Sequence, residues 1–342
     1  MNGLVNTALF PSLRPDWLAL RTELAVDPRR QIIDCHHHLW GPAPSQYMEP
    51  ELFTDMNGVH NVVASVYIEC RFHYRPDGPE LLRPIGEIEF AARVAERAAG
   101  DRRPCAGIVG FVDLLRLGAG ADAAIEAAIE AGKGRLSGIR NITAWSADTT
   151  AVPPMPGRFD GHLRHNAFRE GFRHLARRGL PFEAFVYQTQ LADIVDLARA
   201  YPDARIILDH LGGPVEVGLQ TPKGKSAYEA WRKDILKVAK CPNVVVKLSG
   251  MGMRITRFDT DLRELPPSSD DLAVAWRPLF AVAIDAFGPE RCMFGSNFPV
   301  DKGGFSYAAM WNAFKNIAAD LSDDEQNRLF SGTAIDIYRL AL

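Results

Sequence analysis

The sequence predicts an α/β protein built on a (β/α)8 TIM barrel, with an N-terminal extension over residues 1–30 and one barrel domain over residues 31–342. Eight short runs rich in β-branched residues alternate with helix-like stretches. Each run is nearly continuous in apolar residues, as in parallel strands that are covered on both faces. No GxGxxG or Walker loop follows the first run, which argues against a nucleotide-binding open sheet and a nucleotide cofactor.

The order of the elements follows this alternation. The predicted strands are residues 31–35, 61–69, 105–113, 135–141, 180–187, 204–209, 243–249 and 291–296. The helix-like stretches include residues 87–99, 121–132, 168–179, 190–201 and 271–287, and a short helix is expected from Pro15 to Leu24. Three long irregular βα loops, 145–165, 211–224 and 250–270, would lie over the C-terminal face, where substrate-facing loops are found.

Composition narrows the class of protein. The 342 residues carry 39 Lys plus Arg against 42 Asp plus Glu, so the net charge of −3 offers no polybasic surface for nucleic acid. No apolar run reaches the roughly 18 residues of a membrane helix, and no secretory signal is evident at the N-terminus. The five cysteines are scattered, which favours a reducing compartment. We therefore expect a soluble, cytoplasmic enzyme acting on a small molecule; homo-oligomerisation is left open.

The strongest chemical signal ends the first predicted strand, in Asp34-Cys35-His36-His37-His38. Because side chains alternate along a strand, we expect Asp34, His36 and His38 on one face and the other two on the opposite face. Two imidazoles two residues apart commonly begin a divalent-metal site. The alternative is that these histidines only cap the strand.

Two further motifs end later strands. Asp209 and His210 precede the residues Gly-Gly-Pro at 212–214, which predict an abrupt chain reversal that holds His210 at the mouth of the barrel. Asn297 and Asp301 lie in GSNFPVD after the eighth strand.

Two cations lie inside predicted strands, where they need a partner or a polar cavity. Arg140 suits bidentate capture of a substrate carboxylate, and Lys247 suits contact with a developing oxyanion. The alternative for both is an internal salt bridge to Glu69 or Asp209.

Seven segments, taken in order, resemble the amidohydrolase superfamily, specifically the lactonase-rich amidohydrolase-2 branch that includes 2-pyrone-4,6-dicarboxylate lactonases and fuconolactonases. The segments are IIDCHHHLW, VYIEC, GIRNITAW, FEAFVYQTQL, ILDHLGGP, VVVKLSGM and MFGSNFPVD. The resemblance implies a (β/α)8 barrel that hydrolyses an acyl bond with an activated water.

The resemblance also implies roles for individual residues. The first-strand H-x-H of the family falls on His36 and His38, and its sixth-strand His falls on His210. Its eighth-strand Asp falls on Asn297, a departure, because an amide neither takes a proton from water nor supplies charge to a metal. Asp301, four residues later, is the nearest replacement.

A second acid could compensate for Asn297. Glu69 ends the second predicted strand, and two histidines with one carboxylate form a recognised catalytic zinc set. We therefore predict His36, His38 and Glu69 as the ligands of a divalent metal, zinc or manganese, with His210 as a further ligand or general base. The alternatives are that Glu69 is an ion-pair partner of a nearby cation and that the enzyme works without metal.

Four other side chains are candidates for substrate contact. Tyr187 and Gln190 stand where the family often has a fifth-strand His, His73 lies just beyond the second strand, and Trp40 follows the first.

These features favour a lactone hydrolase that acts on a sugar acid or a ring-cleavage product. A metal-dependent decarboxylase of aromatic acids is the second hypothesis, although such enzymes usually retain the acid that Asn297 replaces. A barrel that binds a metabolite without turnover is the third.

Overall fold

The computed structural model describes residues 10–41, 46–152 and 154–342. Within these ranges, eight parallel strands form one sheet in chain order, and each strand pairs with the next. The strands are β1 Ile32–His37, β2 Val62–Ile68, β3 Arg103–Gly110, β4 Leu136–Ile142, β5 Phe182–Phe185, β6 Ile206–Leu208, β7 Val244–Leu248 and β8 Cys292–Phe294. Helices separate the strands, so the predicted (β/α)8 barrel is confirmed.

The helices surround the sheet and bury their apolar faces against it. They are α1 Pro15–Leu18, α2 Glu49–Met56, α3 Ile85–Arg97, α4 Leu114–Leu117, α5 Ala121–Ala131, α6 Asn166–Arg177, α7 Leu191–Ala200, α8 Pro222–Ala239, α9 Ser269–Phe287, α10 Tyr307–Ile317, α11 Asp323–Asn327 and α12 Thr333–Tyr338. The five predicted main helices correspond to α3, α5, α6, α7 and α9, each with ends within two residues. None of the helices in the described ranges is long and apolar enough to cross a membrane.

The barrel closes between β1 and the segment that follows β8. The backbone N–H of Asn297 donates to the carbonyl of His36 at 2.8 Å, and the N–H of His38 donates to the carbonyl of Phe298 at 2.7 Å. These bonds bring the first-strand histidines and the eighth-strand motif together at one end of the barrel.

The predicted alternation along β1 is wrong at its start. The pairing of β1 with β2 shifts register between Asp34 and His37, so the side chains do not alternate there. The carboxylate of Asp34 accepts from the hydroxyl of Tyr307 on α10 at 2.9 Å, outside the barrel, whereas Cys35 packs in the barrel interior. Asp34 therefore does not share a face with His36 and His38.

The C-terminal segment fills the barrel at the end opposite the histidines. Ile337 and Tyr338 of α12 pack in one apolar cluster with interior residues of the strands, including Ile33 and Met293. The hydroxyl of Tyr338 donates to Glu183 of β5 at 2.6 Å. The end of the chain thus supports the floor beneath the site.

Residues 14–24 of the N-terminal extension pack against the barrel domain. A side-chain nitrogen of Arg14 donates to the carbonyl of Asp261 at 2.6 Å, and Trp17 donates to the carbonyl of Glu264 at 3.0 Å. The amide of Asn312 on α10 donates to the carbonyl of Leu24 at 2.8 Å. The expected helix to Leu24 is shorter and ends at Leu18, and this bond to α10 holds the chain beyond it.

Candidate functional site

A cavity of about 630 Å³ opens at the C-terminal ends of the strands. Its inner wall carries polar side chains from four strand ends, namely His38, Arg140, His210 and Asn297. Trp40 belongs to the same wall and stacks on the ring of His38, with 5.7 Å between ring centroids. The cavity therefore lies where the sequence motifs predict chemistry.

Three histidines from two strand ends meet at the base of this cavity. The Nε2 atoms of His36 and His38 are 3.2 Å apart. The ring of His210 lies 4.4 Å from that of His36, measured between centroids. All three side chains are buried. The structure thus brings His210 together with His36 and His38, which lie more than 170 residues earlier in the chain.

The other nitrogen of two of these rings has its own partner. Nδ1 of His38 lies 2.8 Å from the carbonyl oxygen of Ile68, which can only accept, so His38 donates from Nδ1 and presents a lone pair at Nε2. Nδ1 of His210 bonds to the hydroxyl of Ser249 at 2.8 Å. These bonds fix the orientation of both rings.

A left-handed turn holds His210 at the tip of β6. His210 and Leu211 have φ of +50° and +57°, a conformation that side chains rarely adopt. Gly213 follows with φ of +58°, and a Cβ there would lie 2.2 Å from the carbonyl oxygen of Val186. A Cβ at Gly250 would lie 2.6 Å from Cγ of His210. Only glycine fits at both positions, and the close approach at Gly213 explains the Gly-Gly-Pro signal after His210.

Lys247 lies fully buried beneath the histidines. Its ammonium contacts Nδ1 of His36 at 3.0 Å, Glu183 at 2.7 Å and Asp209 at 3.3 Å. Burial opposes its charge, but the two carboxylates raise the pKa of Lys247 above its ordinary value. The lysine is therefore a structural cation and does not line the cavity.

Arg140 forms a second set of buried ion pairs, with Glu69 and Asp209. Its Nε donates to Glu69 at 3.0 Å, and one Nη lies 3.5 Å from Asp209. Arg140 also lines the cavity, so one guanidinium contacts the internal acids and faces the cavity. Both interpretations of Arg140 from the sequence, an internal ion pair and a substrate contact, are compatible with this placement.

The donor set fits a divalent metal ion. Within the described residues, His36, Asp209 and His210 form a group whose ligand atoms all lie within 4.8 Å of one another. Two nitrogens bound to one tetrahedral zinc at about 2.0–2.1 Å are about 3.3 Å apart, close to the 3.2 Å between His36 and His38. The positive charge of Lys247 repels an added cation. The affinity of the site for a metal ion therefore depends on how far binding to the nitrogen donors outweighs this repulsion.

Comparison with known proteins identifies the family. A family model described as amidohydrolase matches residues 33–340. The chain belongs to the amidohydrolase family. The amidohydrolase-2, lactonase-like branch suggested by the motif order is confirmed, and the family is one of hydrolases.

Individual relatives match this amidohydrolase over most of its length. Protein y4mH of Sinorhizobium fredii is 32% identical over 335 residues, covering 90% of this chain and 98% of the relative. L-fucono-1,5-lactonase of Burkholderia ambifaria is 27% identical over 333 residues, covering 90% and 95%. The crystal structure of an amidohydrolase from Burkholderia multivorans with bound zinc is 25% identical, has a TM-score of 0.69, and covers 91% of this chain and 100% of the other.

Asn297 and Asp301 form a pair beside the histidines of this amidohydrolase. The amide of Asn297 donates to Asp301 at 2.9 Å, and the N–H of Gly252 donates to the other carboxylate oxygen at 3.0 Å. Burial raises the pKa of Asp301 to about 7. Asn297 lines the cavity whereas Asp301 lies behind it, so Asp301 acts on a bound molecule only through its neighbours.

Three residues that were predicted to contact substrate do not line the cavity. His73 stacks on Phe90 of α3, with 4.1 Å between ring centroids. Gln190 uses its amide on backbone groups: the oxygen accepts from Trp145 N–H and Tyr187 N–H, and the nitrogen donates to Thr143. Tyr187 packs in an apolar cluster beside the cavity. These residues shape or support loops and do not line the pocket.

Glu69 is paired with Arg140 and is not part of the compact donor cluster, in which Asp209 stands instead. Sequence reasoning treated Asp209 only as a salt-bridge partner. The sequence did contain a signal for its place in the site, because Asp209 directly precedes His210 at a strand end. Glu183 and Ser249 were also missed, since nothing in the sequence shows that they contact Lys247 and His210.

Proposed function

We propose that this amidohydrolase opens a lactone ring by attack of water on the ring carbonyl. The observation that carries the proposal is the placement of His210 and Arg140 on the wall of one cavity, beside His36 and His38. A base and a cation on the same wall match the needs of ester hydrolysis, in which a proton leaves water as negative charge develops on the carbonyl oxygen. The similarity to L-fucono-1,5-lactonase supports this substrate class.

His210 is the general base of the proposed reaction. Burial lowers the pKa of His210 to about 3, with Lys247 and Arg140 adding to the effect, so the ring is neutral at neutral pH and free to accept a proton. An oxyanion that forms beside Arg140 offsets part of this positive field, which makes His210 more basic as the reaction proceeds. His210 can then return the proton to the ring oxygen that leaves.

Arg140 stabilises the oxyanion and orients the substrate. Its charge is permanent, and its ion pairs with Glu69 and Asp209 hold the guanidinium in place before substrate arrives. Such pre-organised charge needs no rearrangement during the reaction.

A divalent ion would be held by His36 and His38 with Asp209 beside them, which leaves His210 free as the base, and we propose zinc. The nitrogen-rich donor set and the zinc-bound relative from Burkholderia multivorans support this choice. When bound, zinc polarises the substrate carbonyl and lowers the pKa of a bound water. A cytoplasmic location remains a prediction.

The test is ring opening by the purified protein. L-fucono-1,5-lactone and related sugar lactones are incubated with the protein and with His210→Gln, and acid release is followed with a pH indicator. We expect the variant to lose about 10²–10⁴-fold in kcat/KM, the usual contribution of a general base. His174→Gln, a change on α6 outside the cavity, is the matched control and should keep full activity.

Two outcomes would overturn the proposal. Release of CO2 from aromatic acids without opening of any lactone would favour the decarboxylase. Ligand binding without turnover would favour a metabolite-binding barrel.

A further inference from the structure

The outer part of the cavity carries an excess of positive charge. Two acids line it, and both are engaged: Glu80 pairs with Arg116 at 2.7 Å, and Asp113 accepts from the backbone N–H of Arg116 at 3.0 Å. Arg83 lines the same wall and donates to a backbone carbonyl. Arg71, also on this wall, has no carboxylate within 4.0 Å among the described residues.

Arg158 adds a second cation near Arg71, and the carboxylates of Glu69 and Asp113 offset only part of its charge. It comes from the long loop after β4, and its Nε atom is buried without an acceptor in the described part of the chain. Its Nη1 makes a long hydrogen bond, 3.4 Å, to the carbonyl of Pro156. No carboxylate of the described residues forms an ion pair with Arg158. A buried guanidinium N–H without a partner is costly, and such groups call for an explanation.

The two guanidinium groups act on each other. Burial and the charge of Arg71 lower the pKa of Arg158 below its ordinary value. Asp113 and Tyr74, which also influence Arg158, line the cavity, so Arg158 lies beside its outer wall. The partly buried Arg158 and the exposed Arg71 repel each other, and an anion bound between them would relieve this repulsion.

We propose that Arg71 and Arg158 form a subsite for a free carboxylate of the substrate, so that the preferred lactones are those of dicarboxylic acids. The inference rests on the proposed lactonase function and narrows its substrate class. Planar guanidinium groups bind a carboxylate with paired, charge-assisted hydrogen bonds. A neutral sugar lactone would leave both cations unpaired, whereas an acidic lactone would satisfy the orphan Nε of Arg158. Arg140, deeper in the cavity, stays available for the reacting carbonyl.

A binding experiment tests the subsite without requiring turnover. D-glucarate and D-gluconate are open-chain acids that differ only at one end of the molecule. D-glucarate has a second carboxylate there, and D-gluconate has a hydroxymethyl group. We expect calorimetric titration of the wild-type protein to show about tenfold or greater preference for D-glucarate, the scale of one charge-assisted hydrogen-bond pair. The preference should fall towards equality in Arg158→Gln and in Arg71→Gln, and Arg158→Lys should retain part of it.

The controls separate this subsite from general electrostatics. Arg232→Gln on α8 removes one positive charge outside the cavity and should leave the preference unchanged. Because Arg71 is exposed, Arg71→Gln should fold even if the Arg158 variants do not. Equal binding of the two acids, binding of neither, or a preference that persists in both Gln variants would overturn the subsite.

Measuring the rates of lactone opening distinguishes failure of the carboxylate subsite from failure of the proposed lactonase function. If D-glucono-1,4-lactone is opened as fast as D-glucaro-1,4-lactone, the lactonase stands and the subsite is wrong. If neither ring opens but D-glucarate is still preferred in an Arg158-dependent way, the subsite stands and the lactonase is wrong.

Discussion

The ammonium of Lys247 donates a hydrogen bond to Nδ1 of His36 across 3.0 Å. This bond joins β7 to β1 beneath the cavity and determines which nitrogen of His36 carries the proton. Because Nδ1 accepts, a neutral His36 in the metal-free protein carries its proton on Nε2 and can donate it to Nε2 of His38 at 3.2 Å; a metal bound at these nitrogens would displace this proton. One buried lysine thereby orients the histidine pair, and its removal affects both stability and metal binding.

Lys247→Met should lower the free energy of unfolding by about 3–5 kcal/mol, because it leaves Glu183 and Asp209 buried without their cation. Urea denaturation measures the change. Adding Glu183→Gln to this variant should restore part of the loss. Lys237→Met removes an exposed lysine paired with Asp234 and should change stability by less than about 1 kcal/mol. A similar small effect of Lys247→Met would contradict the structural role of the lysine.

His36→Ala and Lys247→Met should change zinc affinity in opposite directions. The first removes a donor nitrogen, whereas the second removes a positive charge that repels the ion. Zinc titration of metal-free protein, with elemental analysis of the loaded samples, measures both effects. His37→Ala is the control, because its ring faces Ser65 at 2.9 Å and not the cavity. Weaker zinc binding in Lys247→Met than in the wild type would speak against the assigned donor set.

Asp301 should make stability decrease as pH rises towards neutrality. Burial raises its pKa from 3.8 to about 7, so the folded protein keeps a proton that the unfolded chain has lost between these values. The stabilisation is present below about pH 4 and is lost as pH rises to 7, at up to about 1.4 kcal/mol per unit. Asp301→Asn stays neutral, so its unfolding free energy should rise relative to wild type across this range.

Urea denaturation at pH 5, 6 and 7 measures this difference for Asp301→Asn. The exposed variant Asp203→Asn should follow the wild type at every pH. Parallel pH curves for wild type and Asp301→Asn would show that Asp301 titrates normally.

Tyr338→Phe should destabilise the barrel floor by about 1–3 kcal/mol, because Glu183 then loses a hydrogen-bond donor in a buried place. Tyr338 lies at the end of the barrel opposite the cavity, so KM for a lactone should not change. Thermal unfolding and steady-state kinetics measure the two effects. Tyr201→Phe, which removes a half-buried hydroxyl bonded to the carbonyl of Arg169, should be the milder change. A large rise in KM for Tyr338→Phe would contradict the separation of floor and cavity.

Much of the fold and part of the site could be predicted from the sequence. Continuous apolar runs mark the eight strands because both faces of each strand are buried. Strand ends in a parallel barrel meet on one face, so the strand-end positions of His36, His38 and His210 are enough to predict that they lie together. The turn after His210 was also predictable, because only glycine tolerates its close approaches.

The partners of the buried charges could not be predicted in this way. Whether Glu69 binds a metal or pairs with Arg140 depends on side-chain directions several strands apart, and local patterns carry no information about them. The register shift in β1 turned Asp34 outwards, and a period of two along the strand could not reveal it.

Local sequence therefore determined which residues form strands, turns and strand-end motifs, because backbone preferences and apolar periodicity act over a few neighbouring residues. Tertiary structure alone decided that Lys247 lies under His36 and that Arg140 pairs with Glu69. Such pairings depend on distances between residues far apart in the chain, and these distances exist only after the barrel has closed.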